Sequence, residues 1–67
     1  MKLNKWDVRK TFCEKGLKVD DFAEYIGVSK DSVYRWIRSE NWRVTDADSL
    51  ARFLGVNWRE MGAIDEG

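Results

Sequence analysis

Residues 26–40 read IGVSKDSVYRWIRSE, and this stretch decides how the chain folds. Gly27, Val28 and Ser29 interrupt one amphipathic segment, and a second begins at once. In the second, Val33, Trp36 and Ile37 recur at i, i+3 and i+4, the spacing that gathers apolar side chains on one side of an α-helix. Ser29 is a good N-cap residue for it. Upstream, Phe22, Ala23 and Ile26 repeat that spacing, so a helix is predicted from about Val19 to Ile26, with Asp20 and Asp21 in its first turn. A three-residue connection forces the two helices to cross steeply, and glycine supplies the backbone conformation such a turn needs. Helices 2 and 3 therefore read as a helix-turn-helix. Val28 is expected to plug its corner, and small Ala23 to sit where the backbones approach.

Working outward, helix 1 is predicted to start after Asn4, a capping residue, with Asp7 favouring its positive end. Leu3 and Val8 have the spacing of a hydrophobic staple, and Val8 and Phe12 share a face. Gly16 closes the helix. Thr45, followed three residues on by Asp48, reads as the cap of helix 4, whose core side is Leu50, Ala51 and Leu54. Asn57 and Glu60 repeat the pattern for a short fifth helix, with Val56 and Met61 as its staple. Proline is absent and β-branched runs are few. The expected fold class is all-α, a five-helix bundle in one domain over residues 1–67, with 63–67 a short tail.

A chain of 67 residues with one cysteine has no internal disulfide to staple it, so aromatic residues must supply much of the core. Trp36 is expected inside, and Trp6 and Trp58 to pack together where helices 1 and 5 meet. Cys13 reads as a core or boundary residue of helix 1. Trp42 and Phe53 fall outside the apolar stripes. Two readings stay open for them: an exposed partner surface, or Trp42 folded back over helix 4.

With no histidine and one cysteine, the usual zinc sites are excluded, and no metal or cofactor is expected. No nucleophile is paired with a base and no glycine-rich phosphate loop is present, so no enzyme and no small-molecule substrate is expected. Asp46 and Asp48 read as helix N-terminal charges rather than metal ligands. Leu3 to Val8 is not an apolar run, so no signal peptide is read, and nothing approaches the length of a membrane span. A cytoplasmic protein is expected. Twelve basic and twelve acidic residues cancel, which argues mildly against nucleic acid. Their distribution argues the other way. Lys and Arg dominate residues 1–18 and 30–43, whereas 19–29 and 44–67 lean acidic.

On helix 3, Asp31, Tyr34, Arg35 and Arg38 fall within roughly one third of the circumference, opposite the apolar stripe, with Lys30 beside them. A major groove admits one α-helix, and its base edges present fixed donors and acceptors. Arginine grips guanine O6 and N7 with two bonds, and aspartate accepts from the cytosine amino group. Tyrosine lies against a thymine methyl or reaches a phosphate. The competing reading is a solvated i, i+4 pair between Asp31 and Arg35 on a plain surface helix.

EKGLKVDDFAEYIGVSKDSVYRWIRSE, residues 14–40, resembles the Cro/repressor-type, or Xre, helix-turn-helix family. LARFLGVNWREMG, residues 50–62, is similar to that family's closing segment. The resemblance covers about residues 5–62. It implies a compact five-helix Cro/repressor-like bundle and a transcription regulator, most often a homodimer on a palindromic double-stranded DNA operator. It places Ser29, Lys30, Asp31, Tyr34 and Arg35 at groove-facing positions, with Ser32 a further candidate for base contact. Lys18, Arg38 and Arg43 fall where the DNA backbone is approached. Trp42, Phe53, Trp58 and Met61 are candidates for the dimer seam. A chain this short suggests a small phage or mobile-element protein. Two departures stand out. The family's polar pair at the start of helix 2 is Lys18 and Val19 here, and its buried arginine and glutamate on helices 1 and 3 are Phe12 and Ile37. Packed hydrophobes replace a buried ion pair at little cost.

Two alternatives remain at this level. Residues 28–40 alone also resemble excisionase and MerR-type winged helix-turn-helix proteins, which follow the recognition helix with a β-hairpin. The neutral charge and the tryptophans would suit a protein-interaction module such as an antirepressor or antitoxin.

Overall fold

The computed structural model describes residues 1–62, and the expected tail at 63–67 lies outside them. Four α-helices follow in order: α1 Lys5–Lys15, α2 Val19–Ile26, α3 Lys30–Ser39 and α4 Val44–Leu54. The expected fifth helix is a single 3-10 turn, Trp58–Met61, ended by Gly62 at φ 69°. A Cβ on Gly62 would stand 2.7 Å from Asp7 Oδ2 and 2.8 Å from Asn4 Cβ, so only glycine lets this turn seat against the start of α1.

Local cap chemistry sets most boundaries. Asn4 Oδ1 accepts the Trp6 and Asp7 N–H groups at 3.0 and 3.1 Å. Asn57 Oδ1 accepts from the Arg59 N–H at 3.0 Å, and Glu60 accepts the Asn57 N–H at 2.8 Å in return. Helix α4 corrects the expectation at Thr45. It begins two residues earlier, capped by Arg43 instead of Thr45, and Thr45 lies inside its first turn. The cause is tertiary. Trp42 is buried and its backbone pinned, its N–H donating to the Met1 carbonyl at 2.8 Å, so the chain turns into helix directly after it. The Ala47 N–H then bonds the Arg43 carbonyl at 2.8 Å.

The core is aromatic at its centre. The Phe22 ring lies 6.5 Å from Phe12, 6.4 Å from Trp42 and 5.5 Å from Phe53. Trp36, expected inside, is half-buried and meets Trp42 edge-on at 5.6 Å. Leu3, Val8, Val33, Ile37, Leu50, Leu54 and Met61 complete the core. Phe12 and Ile37 are both buried in it, so the residues replacing the family's ion pair are packed as hydrophobes. Trp6 and Cys13 differ from expectation, and of the two readings left open for Trp42 the buried one holds. Trp6 is 65% exposed and flanked by the Lys5 ammonium and Arg9 guanidinium, so it does not pair with Trp58. Cys13 is exposed. Trp42 is only 3% exposed and belongs to the core.

An extended N-terminal segment ties the bundle together. Leu3 is buried and its N–H donates to the Glu40 carbonyl at 3.0 Å, while Lys2 forms an isolated antiparallel bridge with Asn41. The Asn4 N–H reaches the Met61 carbonyl at 3.0 Å. Glu40 ends α3 in a left-handed conformation, and its carboxylate accepts the Lys5 N–H at 2.9 Å. One residue thus closes α3 and caps α1. Among the described residues, no helix is long and apolar enough to cross a membrane, and no cluster suits a metal ion.

Candidate nucleic-acid interface

The connection between α2 and α3 is built as its residues demand. Gly27 sits at φ 76°, a left-handed conformation, and its N–H donates to the Glu24 carbonyl at 3.2 Å. The Val28 N–H reaches back to the Ala23 carbonyl at 3.0 Å. The Val28 side chain is 36% exposed, so it lies at the rim of the corner instead of plugging it. The corner is filled by Phe22, Ala23 and Val33, all buried, with Ile26 half-buried.

Ser29 caps α3, its Oγ accepting the Ser32 N–H at 3.3 Å. The two hydroxyls stand 3.0 Å apart, so Ser32, half-buried, is held by Ser29 rather than left free. Lys30, Asp31, Tyr34, Arg35 and Arg38 are exposed along one side of α3, opposite the buried Val33 and Ile37. The two ion pairs among the described residues are Lys10–Glu14 at 4.0 Å and Asp48–Arg52 at 3.0 Å. Asp31 and Arg35 are in neither, so the plain surface pair between them is not formed.

Lys18 and Arg43 share a position. Each precedes a helix, α2 and α4, and neither side chain caps the first N–H groups. At α2 only the reciprocal half of a capping box exists, the Asp21 carboxylate accepting the Lys18 N–H at 3.3 Å. Both helix starts place a cation beside first-turn N–H groups that no N-cap side chain covers, in turns that also carry Asp20 and Asp21 at α2 and Asp46 at α4.

The seam candidates divide. Trp42 and Met61 are enclosed in the core of the single chain and present no face to a partner. Phe53 is half-buried on α4, its ring 5.2 Å from that of exposed Tyr25. Trp58 is half-buried and lines an open groove with Ala51, Arg52 and Val56. Sequence reasoning missed the roles of Glu40 and Lys2, which rest on contacts more than 30 residues apart.

No β-hairpin follows α3; α4 does, which removes the winged alternative. Neither the comparison with curated proteins nor that with solved structures gave a match. A family model described as Helix-turn-helix, HTH_3, matches residues 8–61, from the first core residue of α1 through the 3-10 turn. That is a family of DNA-binding regulators and generally not of enzymes. The chain belongs to the Cro/C1-type helix-turn-helix, or Xre, family.

Proposed function

We propose that this protein is a sequence-specific regulator of transcription, Cro-like or repressor-like, that lays α3 in the major groove of an operator. The observation that carries this reading is the outer face of α3, where Lys30, Asp31, Tyr34 and Arg35 stand exposed and outside any ion pair among the described residues. Arg35 reads a guanine edge, with Asp31 one turn back to orient its guanidinium. Ser29 and Ser32 approach bases at the start of the helix. Lys18, Arg38 and Arg43 hold phosphates, which position the protein without reading sequence. A homodimer would place its half-sites about 34 Å apart. Its seam draws on Phe53 and Trp58, the two candidates with an open face.

The test starts from duplexes selected from a random pool. Arg35→Ala should cost about 1–3 kcal/mol on the selected duplex and relax preference at one base pair per half-site. Arg43→Ala should weaken all sequences alike and flatten the log–log salt slope by about 0.9 per subunit. Equal losses on selected and unrelated duplexes for Arg35→Ala would sink the base-reading role.

A second reading, docking to a protein, draws on Tyr25, which is 59% exposed beside Phe53. A protein that retards no duplex at modest salt yet binds a protein partner would favour it.

A further inference from the structure

The Lys2–Asn41 bridge joins the N-terminal segment to the loop that follows the recognition helix. Met1 and Trp42 exchange both backbone hydrogen bonds, at 2.9 and 2.8 Å. The next pair, Lys2 with Asn41, is therefore a non-hydrogen-bonded pair, in which opposed side chains lie closest and on one face. Leu3 is buried and Met1 packs on the core, so the alternation of an extended chain turns Lys2 outward. Lys2 and Asn41 are both exposed. Asn41 stands between Arg38, in the last turn of α3, and Arg43, at the start of α4.

We propose that residues 1–3 are a strap that carries the Lys2 ammonium onto the DNA backbone held by Arg38 and Arg43, adding one phosphate contact per subunit from outside the helix-turn-helix. The inference rests on the DNA-binding reading above. It is not carried by the family match, which begins at residue 8. Lys2 suits the role better than its basic neighbours. The charges of Lys5 and Arg9 lie over the Trp6 ring, at 5.5 and 5.8 Å, whereas Lys2 is in no ion pair among the described residues. Its backbone is fixed by the bonds of its neighbours and by buried Leu3, so only its side chain is left to order on binding.

The test measures fluorescence anisotropy of labelled duplexes between 50 and 200 mM NaCl, one recovered from a random pool and one unrelated duplex of equal length. Lys2→Ala should flatten the log–log slope by about 0.9 per subunit on both, making the fall in affinity across that range about 3.5-fold smaller per subunit. Lys2→Arg should keep the wild-type slope. Thermal melting of Lys2→Ala should match the wild type, because the bridge uses only backbone atoms. Wild-type binding with an unchanged Lys2→Ala slope overturns the strap contact and leaves the DNA reading standing. A change confined to the selected duplex, or a lowered melting temperature, overturns the phosphate role. A wild-type protein that binds neither duplex fails the DNA reading itself, and this inference with it.

Discussion

Glu40 is the only non-glycine residue at positive φ among the described residues, at 64°. It does two opposed things. Its left-handed backbone costs about 1–2 kcal/mol for an L-residue. Its carboxylate accepts the Lys5 N–H at 2.9 Å, a charged cap at the positive end of α1. Such a cap contributes about 0.5–2 kcal/mol. Two substitutions separate the terms. Glu40→Ala loses the cap and keeps the backbone strain, and should destabilise by about 1 kcal/mol or somewhat more. Glu40→Gly loses the same cap but relieves the strain, less the extra freedom of glycine in the unfolded chain, and should recover most of that loss. In a domain this small, about 1 kcal/mol moves the melting temperature by about 4–8 °C. Urea unfolding followed by tryptophan fluorescence measures both variants, and the m-value should not change. An alanine variant as stable as wild type would show that the carboxylate contributes nothing. A glycine variant no better than alanine would refute the strain argument.

Trp42→Ala removes a core aromatic and should cost about 3–5 kcal/mol, so unfolding moves before any change in oligomeric state; an unchanged denaturation midpoint would contradict its burial. Ile37→Glu places an unpaired charge in the same core as Phe12 and should cost about 3–5 kcal/mol, with Phe12→Arg recovering part of it. Strict additivity of the two in a double-mutant cycle would show that these positions are not coupled.

The parts of the fold legible in the sequence are those decided within one or two turns of chain. Asn4, Ser29 and Asn57 each cap a helix through a bond to a residue two or three positions on, and all three were readable for that reason. Helical periodicity likewise separated Val33 and Ile37 from the exposed Arg35 and Arg38. The misreadings share a cause. Thr45 and Asp48 imitate a cap, but the start of α4 is set by buried Trp42 and its backbone bonds to Met1, 41 residues away. Trp6 and Trp58 looked like a pair from helix order alone, yet packing leaves Trp6 between two cations at the surface. A glutamate at the end of α3, where glycine is the expected residue, gives no local sign that its side chain serves another helix.

Net charge was a poor guide to the interface for a related reason. Twelve cations and twelve anions cancel over the chain, but interactions beyond about 10 Å are screened at ordinary salt, so a phosphate responds to local charge. The two ion pairs among the described residues lie within α1 and within α4, and neither uses a cation of α3. On the proposed reading, Lys18, Arg38 and Arg43 therefore reach the DNA with their charge uncompensated by such pairs, and each releases counterions on binding. Asp31 apart, several acidic residues serve helix ends. Asp7, Asp21 and Glu60 lie in first turns, where a negative charge favours the helix. A chain balanced in this way gains less long-range attraction to arbitrary DNA than a uniformly basic one. More of the difference between operator and random sequence must then come from the few side chains of α3 that reach base edges, and Arg35→Ala is the substitution that exposes that dependence most directly.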